Sequence, residues 1–512
     1  MSRTDNIKKN LTFNVIKFIT QLVLQFVLRT IFIRFLSEEY LGLNGLFTNI
    51  FNFLNLAELG MGSAIVYSMY KPIAENDIEK VKSLQNFYKK FYIVISVIVA
   101  TVGLIITPFI PYLMSGGTNV DINIYVLYLM YLANTLLGYF AAHKRSLLFA
   151  YQRNDIENKV KTICIACMTI LQIITLLIFK NYYLYFSITI IFTLIESVII
   201  NIIAKKMYPE ISGESQALDK DLKKEITKNV SALSAHKIGG VIVFSTDSIL
   251  ISSMFGVAVL GVYSNYNLII TSLASLFVLI SNALIASVGN LICTQTKEYN
   301  YEKFKQINFI FFYLSSFCTV CLFCLSQPFM AMWTGKTSLM LQFSTMTFIS
   351  LSFYLTRMRE GVSVYKVAAG IYWQDRWKPI AEAIINLVVS IILGLWIGIN
   401  GIFIGTIVST LFAPFWIEPK VVYKYYFERS PKDYFVKYLL NTLIMVATSV
   451  ICYFVCSLIP NSNLLYLLLK FGVCILLSNI ILCVMYSPFK EFRELIKFAK
   501  QLITRKKDNI QK

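Results

Sequence analysis

The sequence predicts an all-helical protein that threads a membrane about fourteen times. Three observations carry that expectation. The 512 residues are 57% apolar and only 15% charged, with a mean hydropathy of +0.64; a water-soluble domain of this composition would expose large apolar patches. Apolar runs of about 20 residues, the length that crosses a hydrocarbon core, recur along the whole chain. Lysine and arginine concentrate in alternate loops. No hydrophilic stretch is long enough to form a soluble domain; the longest polar segments are 205–228 and the C-terminal tail.

The runs follow in order. Leu11–Phe35 comes after a polar N-terminus that ends at Asn10. It is too long for the apolar region of a cleavable signal and lacks a small-residue cleavage site, so it reads as a first span. Leu43–Tyr70, Phe91–Leu113, Ile122–Ala142, Val160–Phe179 and Tyr182–Ile203 complete a first set of six. Val230–Phe255, Val257–Leu291, Phe304–Ser326, Ser338–Leu355, Pro379–Ile399 and Gly401–Val422 form a second set, followed by Tyr434–Leu458 and Leu464–Tyr486. The second and eighth runs are long, which predicts tilt or a bend.

Orientation follows from the basic loops. These are Lys71–Lys90, Lys144–Lys161, Lys205–Lys228, Lys297–Lys305, Arg357–Lys378 and Lys420–Lys437, with a tail from Lys490. Roughly 40 basic residues fall on that side and about two, Lys180 and Lys336, on the other. Both termini are therefore expected in the cytoplasm, with an even number of spans. The net charge of +19 is a topology signal rather than a nucleic-acid footprint, and the basic tail suits an anionic inner leaflet.

The chain also repeats. Displaced by 219 residues, Lys9-Asn10 falls on Lys228-Asn229, Leu41-Gly42 on Leu260-Gly261, and Ala64 on Ala283, without a gap. The coincidence with the starts of the first and seventh runs predicts two parallel six-helix repeats. The expected organisation is an N-lobe over 1–204, a cytoplasmic linker over 205–229, a C-lobe over 230–422, and two further helices with a basic tail over 423–512.

Ionisable and amide groups at membrane depth are costly and usually face a cavity or a partner. Lys17, Gln21, Gln25 and Arg29 form a ridge at four-residue steps along the first run. The second run offers Thr48, Asn52, Asn55 and Glu58 on about one face; the seventh carries His236, Lys237 and Asp247; the eleventh carries Glu382, Asn386 and Ser390. Two readings stand for Lys17, Lys237 and Glu382, as cavity residues or as side chains snorkelling to the cytoplasmic interface; Arg34 suits the outer interface. Asp247 would serve either as a lock to Arg29 or in ion coupling, whereas Arg29 and Glu58 lie deeper and read as cavity residues.

Catalytic constellations are absent: no P-loop, HExxH, zinc spacing or nucleophile elbow occurs. The expectation is a non-enzymatic protein without a cofactor or metal. Of the ten cysteines, most lie inside apolar runs. The CxxC pairs Cys164/Cys167 and Cys321/Cys324 read as small hydrophobes on one helix face.

Several segments carry a family resemblance: LAELGMGSAIVYSMYKPIAENDIEK, HKRSLLFAYQ, AHKIGGVIVFSTDSILIS, GVYSNYNLII, ASVGNL, GIYWQDRWKPIAEAIINLVVSIILG and GINGIFIGTIVSTLFAPFW. They span both halves in order. The chain resembles the oligosaccharide flippases of the multidrug/oligosaccharidyl-lipid/polysaccharide exporter superfamily, and within it the Wzx-type translocases of O-antigen and capsule clusters. The resemblance implies fourteen helices, two six-helix lobes around a V-shaped central cavity, and alternating access. It implies an undecaprenyl-pyrophosphate-linked glycan as cargo, carried across the bacterial cytoplasmic membrane. A pyrophosphate head suits a cationic, hydrogen-bonding cavity, which Arg29, Gln21, Gln25, Asn52, Asn55 and Lys237 would supply. Glu58 and Asp247 would suit coupling to H⁺ or Na⁺. The competing readings are a cation-coupled drug exporter, a lipid II flippase, and a membrane-embedded glycan polymerase, the last disfavoured by short outer loops.

Overall fold

The computed structural model describes residues 3–55, 61–211, 213, 218, 245–371, 373–460 and 463–497. Among them the secondary structure is helical throughout, with no strand. The first helices are α1 (Arg3–Phe35), α2 (Glu38–Leu54), α3 (Met61–Ala74), α4 (Ile78–Ile106), α5 (Ile124–Tyr139), α6 (Ala142–Ala150), α7 (Asn154–Ile178) and α8 (Tyr182–Met207). Helix α9 covers 245–255. Then come α10 (Val257–Thr294), α11 (Lys297–Thr334), α12 (Phe343–Arg357), α13 (Glu360–Ala368), α14 (Lys378–Ile397), α15 (Ile399–Phe412), α16 (Pro414–Val422), α17 (Lys432–Ser457) and α18 (Leu464–Tyr486).

Among the described residues twelve helical stretches are long and apolar enough to cross a membrane, so the chain is a polytopic membrane protein. Two expected spans are missing from that set for identifiable reasons. The run Leu43–Tyr70 is carried by α2 and α3, each shorter than a span, with 56–60 outside the described residues. The run Val230–Phe255 is described only from 245 onward. Several spans reach further than hydropathy indicated: Thr337–Ala368 and Ile399–Phe427 continue through basic segments that read as loops. In the first, Arg357, Arg359 and Lys366 are paired with Glu360, Glu418 and Asp375; in the second, Lys420 and Lys424 stand at exposed positions.

Local chemistry sets the helix starts. Side chains of Asp77, Asn123, Asn181, Thr296 and Asn463 accept the first free backbone N–H groups of α4, α5, α8, α11 and α18. Such caps satisfy donors that neither lipid nor the helix supplies. Gly335, at φ 64°, closes α11 in the left-handed conformation that a residue without Cβ adopts at no steric cost.

The chain divides into two compact units, 1–264 and 265–512. In the first, α1 packs on α7, α7 on α8, and α5 on α8. Its core is aromatic: Phe47 meets Tyr128 and Tyr131 edge-on, and Tyr131 stacks on Phe186. The α2 and α10 helices cross at glycine. A Cβ on Gly42 would lie 1.8 Å from the Val257 carbonyl oxygen, and one on Gly261 would lie 1.9 Å from the Glu38 carbonyl oxygen.

In the second unit, α14 and α15 form a tight hairpin turned at Gly398 (φ 69°). Asn386 donates to Thr406 Oγ1 at 3.0 Å and Ser390 to the Ile402 carbonyl at 3.1 Å. These two polar residues of the eleventh run are thus the seam of a helix pair. Helix α11 packs on α12, α17 and α18, with Phe309, Ile444, Leu482 and Tyr486 forming one buried cluster.

Candidate functional site

The ridge on α1 splits between two environments. Twelve residues of α-helix rotate a side chain about 120° beyond whole turns, so Lys17 and Arg29 face different neighbours. Lys17 Nζ donates to Asn158 Oδ1 on α7 at 3.0 Å, and Asn158 in turn donates to Asn14 at 2.9 Å. Arg29 instead donates from Nη1 to Ser264 Oγ at 3.1 Å. The Ser264 hydroxyl gives its own proton to the Gly261 carbonyl at 2.7 Å, which leaves its oxygen lone pairs for the guanidinium.

Tyrosines complete the surroundings of Arg29. Tyr131, Tyr182 and Tyr185 lie within electrostatic reach of the guanidinium. Tyr131 and Tyr182 share a hydroxyl hydrogen bond of 2.9 Å, and the Tyr182 and Tyr185 rings stack at 5.5 Å. Phe32, one turn along α1, meets both of these rings edge-on. Phenol oxygens and ring faces attract a cation without cancelling its charge. No carboxylate of the described residues forms an ion pair with Arg29.

The other expected site residues fall as follows. Gln25, one turn from Arg29, is exposed, and Gln21, two turns away, is half-buried. Asn52 is exposed on α2. Asn55 caps the end of α2 and accepts a hydrogen bond from the Tyr139 hydroxyl. Asp247 is buried on α9, within electrostatic reach of Tyr263, and the ion pairs of the described residues do not join it to Arg29. Glu58, His236 and Lys237 lie outside the described residues.

A second polar centre, in the second unit, escaped the sequence reading. Glu418 on α16 receives Lys378 Nζ at 2.6 Å, Arg359 Nη1 at 2.9 Å and Lys366 Nζ at 3.2 Å. Lys366 also meets Asp375 at 2.7 Å, and Arg359 lies 4.0 Å from Glu382. Three cations thus face three carboxylates, all nearly removed from solvent. The residues come from α13, α14, α16 and the segments before α13 and α14, so only the folded chain assembles them. The signal available in sequence was a single glutamate, Glu418, inside an apolar run. Glu382, an expected cavity or interface residue, is part of this network.

The thiols also regroup. Cys324 approaches Cys456 and Cys474, on two other helices, within 4.8 Å, inside an apolar cluster with Val320 and Cys452.

No family model matches the sequence, and no curated protein matches it. The fold does have solved counterparts. It is similar to an inward-facing multidrug resistance MATE family transporter of the MOP superfamily, with TM-score 0.61 at 16% identity, over 78% of this chain and 94% of that one. It is similar to the lipid II flippase MurJ in an inward closed conformation, with TM-score 0.63 at 15% identity, over 95% of this chain and 100% of that one. A mutant of the Vibrio cholerae MATE transporter VcmN aligns with TM-score 0.57 at 13% identity, over 83% and 99%. Identities this low establish a shared fold, that of proteins named as transporters and flippases.

Proposed function

We propose that this protein is a flippase for an anionic lipid-linked glycan. In this reading it carries undecaprenyl-pyrophosphate-linked oligosaccharide repeat units from the inner to the outer leaflet of the bacterial cytoplasmic membrane by alternating access, for O-antigen or capsule assembly. The observation that carries the reading is Arg29. The buried cations Arg359, Lys366 and Lys378 are matched by Glu418, Asp375 and Glu382, a balance suited to structure. Arg29 is held by a hydroxyl and a set of tyrosines, which orient a cation yet leave its charge available. A guanidinium in that state favours a phosphate oxygen, to which it presents a planar fork of donors.

Around it, the proposal assigns Gln21, Gln25, Asn52 and Lys237 to the cargo's sugars and phosphates, with Asn55 holding the end of α2. Glu58 and Asp247 are assigned to H⁺ or Na⁺ coupling. The two lobes are assigned as 1–204 and 230–422, joined by 205–229, with both termini and Lys220 in the cytoplasm and Gly116 and Lys336 outside. Cysteine labelling from either side of the membrane tests that orientation, and an external C-terminus would refute it.

A lipid II flippase is the second reading, supported by the fold likeness over nearly the whole of both chains. A multidrug exporter is supported less, because a cation-binding path for drugs favours carboxylates where Arg29 stands. Deleting the gene separates the three. The repeat-unit reading expects lipid-linked repeat units to accumulate in the inner leaflet and a surface polysaccharide to vanish. Accumulated lipid II with normal surface polysaccharide would support the second reading, and altered drug sensitivity alone the third.

A further inference from the structure

The first unit holds a cavity of about 1210 Å³ between α4, α5, α6 and α8. One end is cationic: Lys89, Lys144 and Lys205 line it together with His143, and among the described residues the lining contains no aspartate or glutamate. Lys144 is the informative member. The residue is only 6% exposed, and its side chain makes no hydrogen bond or ion pair to the described residues. Its charged neighbours there are Lys89 and Lys205. Burying an ammonium beside two others is costly unless an anion joins them.

Most of the remaining wall is apolar, with Tyr92, Ser96, Tyr139 and Asn201 also on it. Ile93, Val97 and Ala100 continue up α4 from Lys89, and Leu136 and Phe140 face them from α5 and its end. From Lys89 to Ala100 the helix rises about 16 Å, roughly half of a hydrocarbon core of about 30 Å. Ile93, Val97 and Phe140 are each more than half exposed, on spans whose exposed apolar faces meet lipid. A cationic end continuous with an apolar wall one leaflet deep is complementary to a single-leaflet phospholipid.

We infer that this groove is a binding site for an anionic phospholipid, its phosphate among Lys89, Lys144 and Lys205 and a hydrocarbon chain along Ile93 and Val97. The occupant is a resident lipid of the bilayer rather than the glycan cargo. A headgroup bearing several sugars needs many hydrogen-bonding walls, whereas this lining is mainly apolar beyond its lysines. Two hydrogen bonds shape the cationic end without consuming it: Gln85 donates to the His143 carbonyl at 2.8 Å, and Asn86 to the Gly213 carbonyl at 3.0 Å. The site goes beyond the transport reading and stands if the cargo proves different.

The test uses the full chain purified in detergent and titrated with phosphatidylglycerol or phosphatidylcholine of identical acyl chains. Native mass spectrometry counts retained lipids, and a thermal melt reads stabilisation. Phosphatidylglycerol should be retained and should raise the melting temperature saturably, and phosphatidylcholine should do neither. Lys144→Met should weaken phosphatidylglycerol about tenfold, the equivalent of one charge-assisted hydrogen bond. Without lipid the same variant should melt no lower than the parent, because it removes an unmatched buried charge. Lys205→Gln, at an exposed position, should weaken the lipid in the same direction without disturbing the fold. Equal response to both lipids, or unchanged selectivity in both variants, overturns the site. If a polyprenyl diphosphate binds there and phosphatidylglycerol does not, the proposal also fails and the groove belongs to the cargo.

Discussion

Gly42 and Gly261 face each other across the contact between α2 and α10, so closely that a Cβ on either would overlap the opposite backbone. The contact is reciprocal. Gly42 meets the Val257 carbonyl and Gly261 meets the Glu38 carbonyl; Gly42 and Gly261, and likewise Glu38 and Val257, stand 219 positions apart, the displacement at which Lys9-Asn10 falls on Lys228-Asn229. A self-complementary contact of this kind is what a local two-fold axis between equivalent elements produces. Arg29 is tied to the same place through Ser264 and the Gly261 carbonyl.

The crossing should tolerate no side chain. Gly42→Ala and Gly261→Ala force backbones apart and should each cost about 1–3 kcal/mol or more by overpacking. Gly289→Ala is the internal control: nothing lies within 4 Å of its added carbon, and alanine favours the helix. Melting temperatures of the purified variants check this. Equal, small effects at all three positions would contradict a close crossing.

Glu418 should behave as the keystone of the second unit's charge network. Replacing it by glutamine strands Lys378 and leaves Arg359 and Lys366 with Glu382 and Asp375 alone, and breaking one partner of a buried ionic set costs about 3–5 kcal/mol. Adding Lys378→Met to Glu418→Gln should recover part of that loss, because it removes the stranded charge. A double-mutant cycle read by thermal melts gives the coupling. Strict additivity would mean that the 2.6 Å contact contributes nothing.

How far the sequence reached can be judged from these residues. Long apolar runs define spans through burial and length alone, so the polytopic fold and most of its helices were legible. The short helices α6 and α13 were not, because charge there read as loop; in the fold Arg145 of α6 meets Glu196, and Lys366 of α13 meets Asp375 and Glu418. The Lys17–Arg29 ridge was visible as a period, but its division between Asn158 and Ser264 depends on which helices lie alongside. Lys366, Lys378 and Glu418 are far apart in sequence and carry no spacing motif, so their convergence is a property of the fold. The same holds for the groove: Lys89, Lys144 and Lys205 each counted toward topology, and nothing local marked them as one cluster.

Acid should loosen the segment that follows α4 through Glu39. Its carboxylate accepts the Thr118 hydroxyl at 2.6 Å, the Asn119 backbone N–H at 2.7 Å and the Asn119 amide at 3.1 Å. Burial pushes its pKa up, but the bonds from Thr118, Asn119 and Val120 outweigh that and hold it below the ordinary value of 4.5. A depressed carboxylate pKa contributes stability that is complete above the unfolded value and is lost as pH falls through the folded one. Glu39→Gln should therefore melt below the parent near neutrality, and the two curves should converge on acidification below about pH 4. A gap independent of pH would show that the charge is not responsible.

Arg29 provides the sharpest separation between binding and scaffold. If its guanidinium takes the cargo's phosphate, Arg29→Ala should lower transport about 10–100-fold, the loss of one or two charge-assisted bonds. Arg29→Lys should keep part of it, retaining the charge but not the planar fork. Membrane abundance and melting temperature should stay close to the parent in both, because no carboxylate of the described residues is stranded when the guanidinium goes. Ser264→Ala supplies the contrast, since it removes the tether at 3.1 Å and leaves the charge in place. Under the binding role it should retain most transport. Under a scaffold role, in which Arg29 serves only to fasten α1 to the glycine crossing, Ser264→Ala and Arg29→Ala should impair abundance and melting alike. In that case the double variant should be no worse than either single. Surface polysaccharide, membrane abundance and melting temperature measured on these four variants decide between the two, and matching losses in Ser264→Ala and Arg29→Ala would falsify the binding role.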